Sequence, residues 1–130
     1  MVVGANLAKE GLFTVEERLA MLREVTADLP NVSVDKFTGL LVDFCRARGV
    51  SAIVKGLRAV SDFEYEMEMA QMNYRLAGIE TLFMTANPLY SFLRSSLVRE
   101  IAAYGGNVSS LVPPSVETRL QAKLAELDRG

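Results

Sequence analysis

The chain has 130 residues, half of them hydrophobic, which suffices for one domain with a core but not for two ordinary domains. Its net charge of −2 argues against a general nucleic-acid binder, because contacts to phosphate backbones need a surplus of Lys and Arg. The chain contains no histidine, which excludes imidazole catalysis, histidine metal sites and Ser-His-Asp triads within it. The chemistry that remains is that of carboxylates, hydroxyls, Lys and Arg.

Cysteine usage and hydropathy predict the cellular compartment. Cys45 is the only cysteine and lies in an apolar helical segment, so we predict a buried thiol, no disulfide within the chain and a reducing compartment. No apolar run approaches the roughly 20 residues that span a bilayer, and the N-terminus lacks a signal-peptide pattern. We therefore expect a cytoplasmic protein with no membrane partner.

Apolar periodicity and turn residues predict alternating strands and helices. The predicted elements, in chain order, are strand 2–5, helix 15–29, strand 32–34, helix 40–48, strand 52–54, helix 61–76, strand 81–84, helix 95–104 and a helix from 114. Thr14 with Glu17, and Ser61 with Glu64, have the spacing of capping boxes, and Gly78 is a predicted helix end. The last helix carries an apolar face at Val116, Leu120, Leu124 and Leu127. This alternation predicts an α/β protein with a doubly wound, Rossmann-like parallel sheet in a single domain.

The segment after the predicted strand 52–54 is the first candidate phosphate site. Ligands of open parallel sheets bind beyond the carboxyl ends of the strands, where helix N-termini present unpaired amides. Lys55 and Arg58 would attract phosphate there, and Gly56 between them would let a ligand approach the backbone. An ordinary turn with solvated charges explains these residues equally well.

The segment after the predicted strand 81–84 is the second candidate. It consists of Tyr90, Ser91, Phe92, Leu93, Arg94, Ser95 and Ser96. Hydroxyls and amides at the start of helix 95–104, with Arg99 one turn further on, suit a polyphosphate. Simple N-capping by Ser95 or Ser96 is the alternative, and it explains one serine but not the cluster.

Three further features have two interpretations each. Lys9, after the first strand, would face the same edge of the sheet, although a lone surface lysine is usually only solvated. Glu66 would accept hydrogen bonds from a ribose or an adenine amino group, or it is a solvated helix glutamate. Met67, Met69 and Met72 do not form a single stripe, and we expect them in the core or in a subunit contact.

Residues 55–66 read KGLRAVSDFEYE, which closely resembles the signature of bacterial phosphopantetheine adenylyltransferases. The resemblance continues within residues 13–18, 69–73 and 91–100 and covers essentially the whole chain. It implies a nucleotidyltransferase domain over residues 1–130 that transfers AMP from ATP to 4′-phosphopantetheine, giving dephospho-coenzyme A and pyrophosphate in coenzyme A synthesis. It also implies Mg²⁺ acting with ATP, coenzyme A as a candidate feedback ligand, and a homo-oligomer, specifically a hexamer.

The resemblance also implies roles for individual residues. Lys9 resembles the lysine that meets the phosphate of phosphopantetheine, and Lys9 and Arg58 are the implied catalytic residues beside the reacting phosphates. Leu41 and Lys55 join Lys9 on the phosphopantetheine side. The implied ATP-binding residues are Gly56, Leu57, Arg58, Glu66, Tyr90, Ser91, Phe92, Leu93, Arg94, Ser95 and Ser96. No residue is implied as a metal ligand.

The sequence departs from the family pattern in two places. Family members begin with a strand, a Gly-rich turn, a T/H-x-G-H motif whose histidine steadies the phosphates, and a helix. None of these is present, so we expect an N-terminally truncated domain. Arg94 stands where the family usually has the first of three serines, and this extra cation would either bind phosphate or crowd the nucleotide.

Three functions remain open from the sequence. The first is the adenylyltransferase, which predicts that the DNA upstream of Met1 encodes the missing strand and histidine motif in frame. The second is a truncated, non-catalytic relative that binds nucleotide or joins an oligomer. The third is a neighbouring nucleotidyltransferase that acts on another phosphate or alcohol, and the long match over residues 55–66 counts against it.

Overall fold

A computed structural model gives the structure of residues 1–6, 11–58 and 60–130. In chain order, its elements are β1 (Val2–Asn6), α1 (Val15–Val25), β2 (Ser33–Phe37), α2 (Leu41–Ala47), β3 (Ala52–Leu57), α3 (Val60–Ala77), β4 (Glu80–Thr85), a 3₁₀ turn (Pro88–Tyr90), α4 (Ser95–Ala103) and α5 (Pro114–Arg129). Strands and helices alternate as the sequence predicts. None of the helices in the described residues is long and apolar enough to cross a membrane.

The four strands of the described residues form two parallel pairs. β1 pairs with β2 in the register Val2 to Ser33, and β3 pairs with β4 in the register Ala52 to Glu80. A helix connects the two strands of each pair, as parallel pairing requires, because the chain must return to the starting end of the sheet. The predicted α/β fold with parallel strands and crossover helices is therefore confirmed.

The chain divides into two compact units. The terminal unit contains Met1–Thr38 and Leu93–Gly130, and the central unit contains Gly39–Phe92. The first strand pair belongs to the terminal unit and the second to the central unit. The assignment of residues 1–130 to a single domain stays a prediction.

The core of the central unit lies between α2 and the start of β4. Val42, Cys45 and Ile79 form its buried cluster, and Cys45 is only 3% exposed, so the predicted buried thiol is confirmed. This burial raises the pKa of the Cys45 thiol, because the thiolate is poorly solvated there. The Arg46 guanidinium donates to the Leu76 carbonyl and so links α2 to the last turn of α3.

Helix α3 ends as predicted but begins earlier. Gly78 has a φ of 67°, in the left-handed region that glycine adopts without strain, and its N–H donates to the Tyr74 carbonyl at 2.7 Å. At the other end, α3 starts at Val60. Ser61 therefore lies inside the first turn, and its predicted role as the N-cap is wrong.

The core of the terminal unit joins α4 and α5. Val98, Val108 and Leu120 form its buried cluster, and Ile101 and Leu124 pack against it. Leu127 was predicted to share the apolar face of α5, but it is 59% exposed. The last turn of α5 extends beyond the cluster. The apolar periodicity of the sequence therefore continues into a part of the helix that has nothing to pack against in the cluster.

The predicted capping box at the start of α1 is confirmed and extends into an ion pair. The Thr14 hydroxyl accepts from the Glu17 N–H at 3.2 Å, and the Glu17 carboxylate accepts from the Thr14 N–H at 2.7 Å. The same carboxylate lies 2.6 Å from Nζ of Lys123 on α5. The Lys123 ammonium and then the Thr14 N–H lower the pKa of Glu17, because both stabilise its charged form.

We expect a Glu17→Gln variant to have a lower free energy of unfolding than the wild type at neutral pH and to match the wild type in acid. The folded-state pKa of Glu17 lies below its unfolded value of about 4.3, so its contribution is present above that value and is lost as the pH falls through the folded-state pKa. Urea unfolding at pH 7 and below pH 4 measures this difference. Glu100→Gln, on the exposed surface of α4, is the control. An effect of Glu17→Gln that is equal at both pH values would contradict the prediction.

Candidate active site

The first candidate segment belongs to a strand and not to a loop. Lys55, Gly56 and Leu57 complete β3, and Arg58 is the first residue after it. The strand continues because β4 continues beside it, pairing Leu57 with Thr85. The expectation that residues 55–57 form a loop or turn is therefore wrong, whereas the position of residues 55–58 at the carboxyl end of a parallel strand is confirmed.

The ends of β3 and β4 lie at one edge of their sheet. The Ala86 N–H donates to the Leu57 carbonyl at 2.8 Å, so the pairing extends to the first residue after β4. Arg58 and the segment that follows Ala86 thus leave the sheet from the same edge. This is the edge at which open parallel sheets bind ligands.

A salt bridge connects this strand end to α3. Nζ of Lys55 lies 3.5 Å from Oε2 of Glu66, and the two side chains are 40% and 23% exposed. Phe63 on α3 meets Phe83 on β4 edge to face, with ring centroids 5.8 Å apart, which fixes α3 against the sheet. Glu66 is therefore a partly buried, paired carboxylate, and its interpretation as a merely solvated glutamate is wrong.

The surface around Gly56 is open. Its backbone has an ordinary φ, and a Cβ at this position would meet no atom within 4 Å. Neither backbone conformation nor packing in the structure requires glycine here. Val54 and Met84 are exposed on the same face of the strand pair, so a ligand can approach the Gly56 backbone from that side.

The residues after β4 form a short capped turn. The Asn87 side chain accepts from the Leu89 N–H at 3.0 Å and begins the 3₁₀ turn, and the Ser91 hydroxyl donates to the Pro88 carbonyl at 3.0 Å. Tyr90 and Phe92 are exposed. Three of the predicted ATP-binding residues therefore follow the strand edge that carries Arg58.

The start of α4 lies in the terminal unit. Arg94 is the N-cap, with Ser95 and Ser96 as the first two helical residues, so simple N-capping by either serine is wrong. Arg94 provides no side-chain acceptor, and the first turn contains no acidic residue. The first amides of α4 are left without a side-chain cap, which is the arrangement that favours an anion. Leu93 packs on the core cluster of the terminal unit.

Two predicted residues on the phosphopantetheine side have different outcomes. Leu41 is the first residue of α2 and packs, half-buried, against the cluster of Val42, Cys45 and Ile79. Lys9 lies outside the described residues.

The residues that the structure describes hold no cluster of three or more Cys, Asp or Glu side chains suited to a metal ion.

Comparisons with known proteins place the chain in a family. The cytidylyltransferase-like family profile matches residues 2–101. The phosphopantetheine adenylyltransferase of Thermobifida fusca is 67% identical over 98% of this chain and 77% of its own length. The chain belongs to the phosphopantetheine adenylyltransferase family. The enzymes of the same name from Streptomyces coelicolor and a Nocardioides species are 59% and 58% identical, over 95% and 96% of this chain and 78% and 79% of their own lengths.

Family membership confirms the resemblance found in residues 55–66 and counts against the neighbouring nucleotidyltransferase. Sequence reasoning missed the direct contact between Lys55 and Glu66. A signal for it existed, because Glu66, Ala70 and Asn73 recur at helical spacing, and all three are at least partly buried. A carboxylate on the buried face of a helix needs a partner, and the nearest strand end supplies a lysine.

Proposed function

We propose that this protein transfers AMP from ATP to 4′-phosphopantetheine. A phosphate oxygen of 4′-phosphopantetheine attacks the α-phosphorus of ATP, and the bond between the α-phosphorus and the oxygen that bridges to the β-phosphate breaks. The products are dephospho-coenzyme A and pyrophosphate. The observation that carries the proposal is the 67% identity to an enzyme of this name over 98% of the chain.

The geometry of the central unit supports this chemistry. Phosphoryl and adenylyl transfer depend on positioning and on neutralising charge, and little covalent chemistry is asked of the protein. Arg58, at the carboxyl edge of the β3 and β4 pair, is proposed to stabilise the reacting α-phosphate. Lys9 is proposed to bind the phosphate of 4′-phosphopantetheine, and Lys55 and Leu41 are proposed to bind that substrate on the same side. Mg²⁺ is proposed to enter bound to ATP.

The remaining predicted residues are proposed to bind ATP. Glu66 would accept hydrogen bonds from the ribose or the adenine amino group, and the Gly56 and Leu57 backbones would lie against the nucleotide. The segment from Tyr90 through Ser96 would contact the phosphates, where the uncapped amides of α4 favour negative charge. Arg94 adds a cation at that helix start.

Turnover by the 130-residue chain tests the proposal. The purified chain, Mg²⁺-ATP and 4′-phosphopantetheine are mixed, and released pyrophosphate and dephospho-coenzyme A are measured. Formation of both products at equal rates is the expected result. The second candidate is a relative that binds nucleotide without catalysis. That candidate predicts ATP binding by calorimetry with no pyrophosphate release, and a failure to bind ATP would contradict both.

A homo-oligomer is part of the proposal, and α3 supplies the supporting feature. Tyr65, Met69, Met72 and Leu76 are exposed and recur at spacings of four, three and four residues, which places them on one face of α3. Exposed apolar stripes of this kind mark subunit contacts, and a second copy of this chain offers a matching stripe. The methionines predicted for the core or a subunit contact are all exposed, so the core alternative is wrong and the subunit contact stays part of the proposal.

We expect a Met72→Glu variant to shift the protein from a homo-oligomer, proposed to be a hexamer, towards the monomer. Met72 is 51% exposed, so the new charge is solvated in the monomer but would be buried between subunits. Sedimentation velocity measures the change, and circular dichroism checks that the fold is kept. Gln71→Glu adds the same charge on another side of α3 and should leave the oligomer intact. An unchanged oligomer in Met72→Glu would show that the stripe is not the contact.

Three further properties belong to the proposal. The protein is proposed to act in the cytoplasm. Coenzyme A is proposed as a feedback ligand, since it shares the phosphopantetheine group with the substrate. Residues 1–130 are proposed to act as one nucleotidyltransferase domain.

A further inference from the structure

One salt bridge joins two residues that the proposed function assigns to different substrates. Lys55 at the end of β3 is assigned to 4′-phosphopantetheine, and Glu66 on α3 is assigned to ATP. Their charged atoms lie 3.5 Å apart, and both side chains belong to the central unit. In the structure, the Lys55 ammonium is therefore paired with the carboxylate that ATP would need. The Glu66 carboxylate is likewise paired with the ammonium that 4′-phosphopantetheine would need.

We propose that this contact, the Lys55/Glu66 bridge, couples the binding of the two substrates. The inference rests on the proposed function. The substrate that binds first separates the bridge. The second substrate then binds to Lys55 or Glu66 without having to break the ion pair. The coupling is positive, so that each substrate binds more tightly in the presence of the other.

The geometry of the bridge favours exchange of partners. Its 3.5 Å separation is longer than the roughly 2.7–2.9 Å of a tight charge-assisted hydrogen bond. The Lys55 side chain is 40% exposed, so an incoming phosphate can reach the ammonium. A phosphate dianion also attracts the ammonium more strongly than a carboxylate with a single charge does. The released Glu66 carboxylate then has both oxygens available for donors on the nucleotide.

Linkage fixes the sign and the size of the effect. The first substrate to bind must separate the bridge, whereas the second does not, so the energy of the bridge becomes the coupling energy. By linkage, each substrate then lowers the dissociation constant of the other by the same factor. Partly exposed ion pairs contribute little to stability. The expected coupling is therefore about twofold to fivefold in dissociation constant.

Calorimetry with an unreactive nucleotide tests the coupling. The dissociation constant of α,β-methylene-ATP with Mg²⁺ is measured alone and with saturating 4′-phosphopantetheine, and the ratio of the two values gives the coupling. We expect a ratio of about 2 to 5 in the wild type. We expect a ratio near 1 in Glu66→Gln, which keeps a side-chain carbonyl for the nucleotide but removes the charge that holds Lys55.

Glu68→Gln is the matched control, because it removes the same charge from an exposed position on the same helix. Its ratio should equal that of the wild type. Independent binding in the wild type, weaker binding of the second ligand, or an unchanged ratio in Glu66→Gln would each overturn the coupling while leaving the proposed function in place. A chain that binds neither compound would overturn the proposed function and the coupling with it.

Discussion

Replacing Arg58 with methionine is expected to reduce kcat/KM for adenylyl transfer by about 100-fold to 1,000-fold, the usual effect of removing one group that stabilises transition-state charge. Arg58 is the first residue beyond β3, at the edge where the pairing with β4 ends. In the transition state, negative charge is spread over the oxygens of the α-phosphate and builds up on the departing pyrophosphate. Methionine keeps the length and the apolar stem of the side chain but cannot offset that charge.

The readouts separate a chemical role from a structural one. Initial rates of pyrophosphate release give kcat/KM, and calorimetry with α,β-methylene-ATP gives binding, which we expect to weaken by about tenfold. Arg75→Met removes the same charge from the exposed last turn of α3 and should change both quantities less than twofold. A loss in Arg58→Met that is matched by Arg75→Met would show that overall charge, and not the position of Arg58, is responsible.

The parallel α/β arrangement could be predicted because local signals agree with it. The Thr14 and Glu17 spacing gives a capping box in the structure, and Gly78 ends α3 in a left-handed conformation. These features depend on a few adjacent residues, so a single sequence contains the information. A fold can be predicted from sequence when such local signals agree with the overall order of strands and helices.

The bounds of the strands could not be predicted in the same way. Lys55 and Gly56 have low preference for strands, and the sequence suggested a loop. In the structure they are held in β3 by the neighbouring strand, which continues to Thr85. Pairing with a partner about 28 residues away along the chain overrides local preference, and such a partner is invisible to a local pattern.

The candidate site was predicted in its residue types but not in its contacts. Cations and hydroxyls after strands are readable signs of phosphate binding, and Arg58 does lie at a carboxyl strand edge. The pairing of Lys55 with Glu66 depends on how α3 packs on the strands, as does the burial of Glu66. A sequence gives the face of a helix on which a residue lies but not the group that it meets there.

Leu120 provides the largest expected change in stability, and Leu127 on the same helix is its control. The periodic pattern treats the two residues alike, whereas the structure buries Leu120 against Val98 and Val108 and leaves Leu127 exposed. Leu120→Ala removes apolar contacts from a closed cluster and leaves a cavity, at a cost of about 2–5 kcal/mol. Leu127→Ala removes a solvated side chain and should change the free energy of unfolding by less than about 0.5 kcal/mol.

Urea unfolding at neutral pH measures both variants, and the expected result is a lower midpoint for Leu120→Ala with an unchanged slope. A large part of the ~5–15 kcal/mol that stabilises a typical domain would be lost at this one position. The cluster joins α4 to α5, so the loss would also loosen the helix whose first turn carries Ser95 and Ser96. ATP binding should therefore weaken in Leu120→Ala at urea concentrations that leave Leu127→Ala unaffected. Equal urea midpoints for the two variants would show that the packing of Leu120 does not stabilise α5.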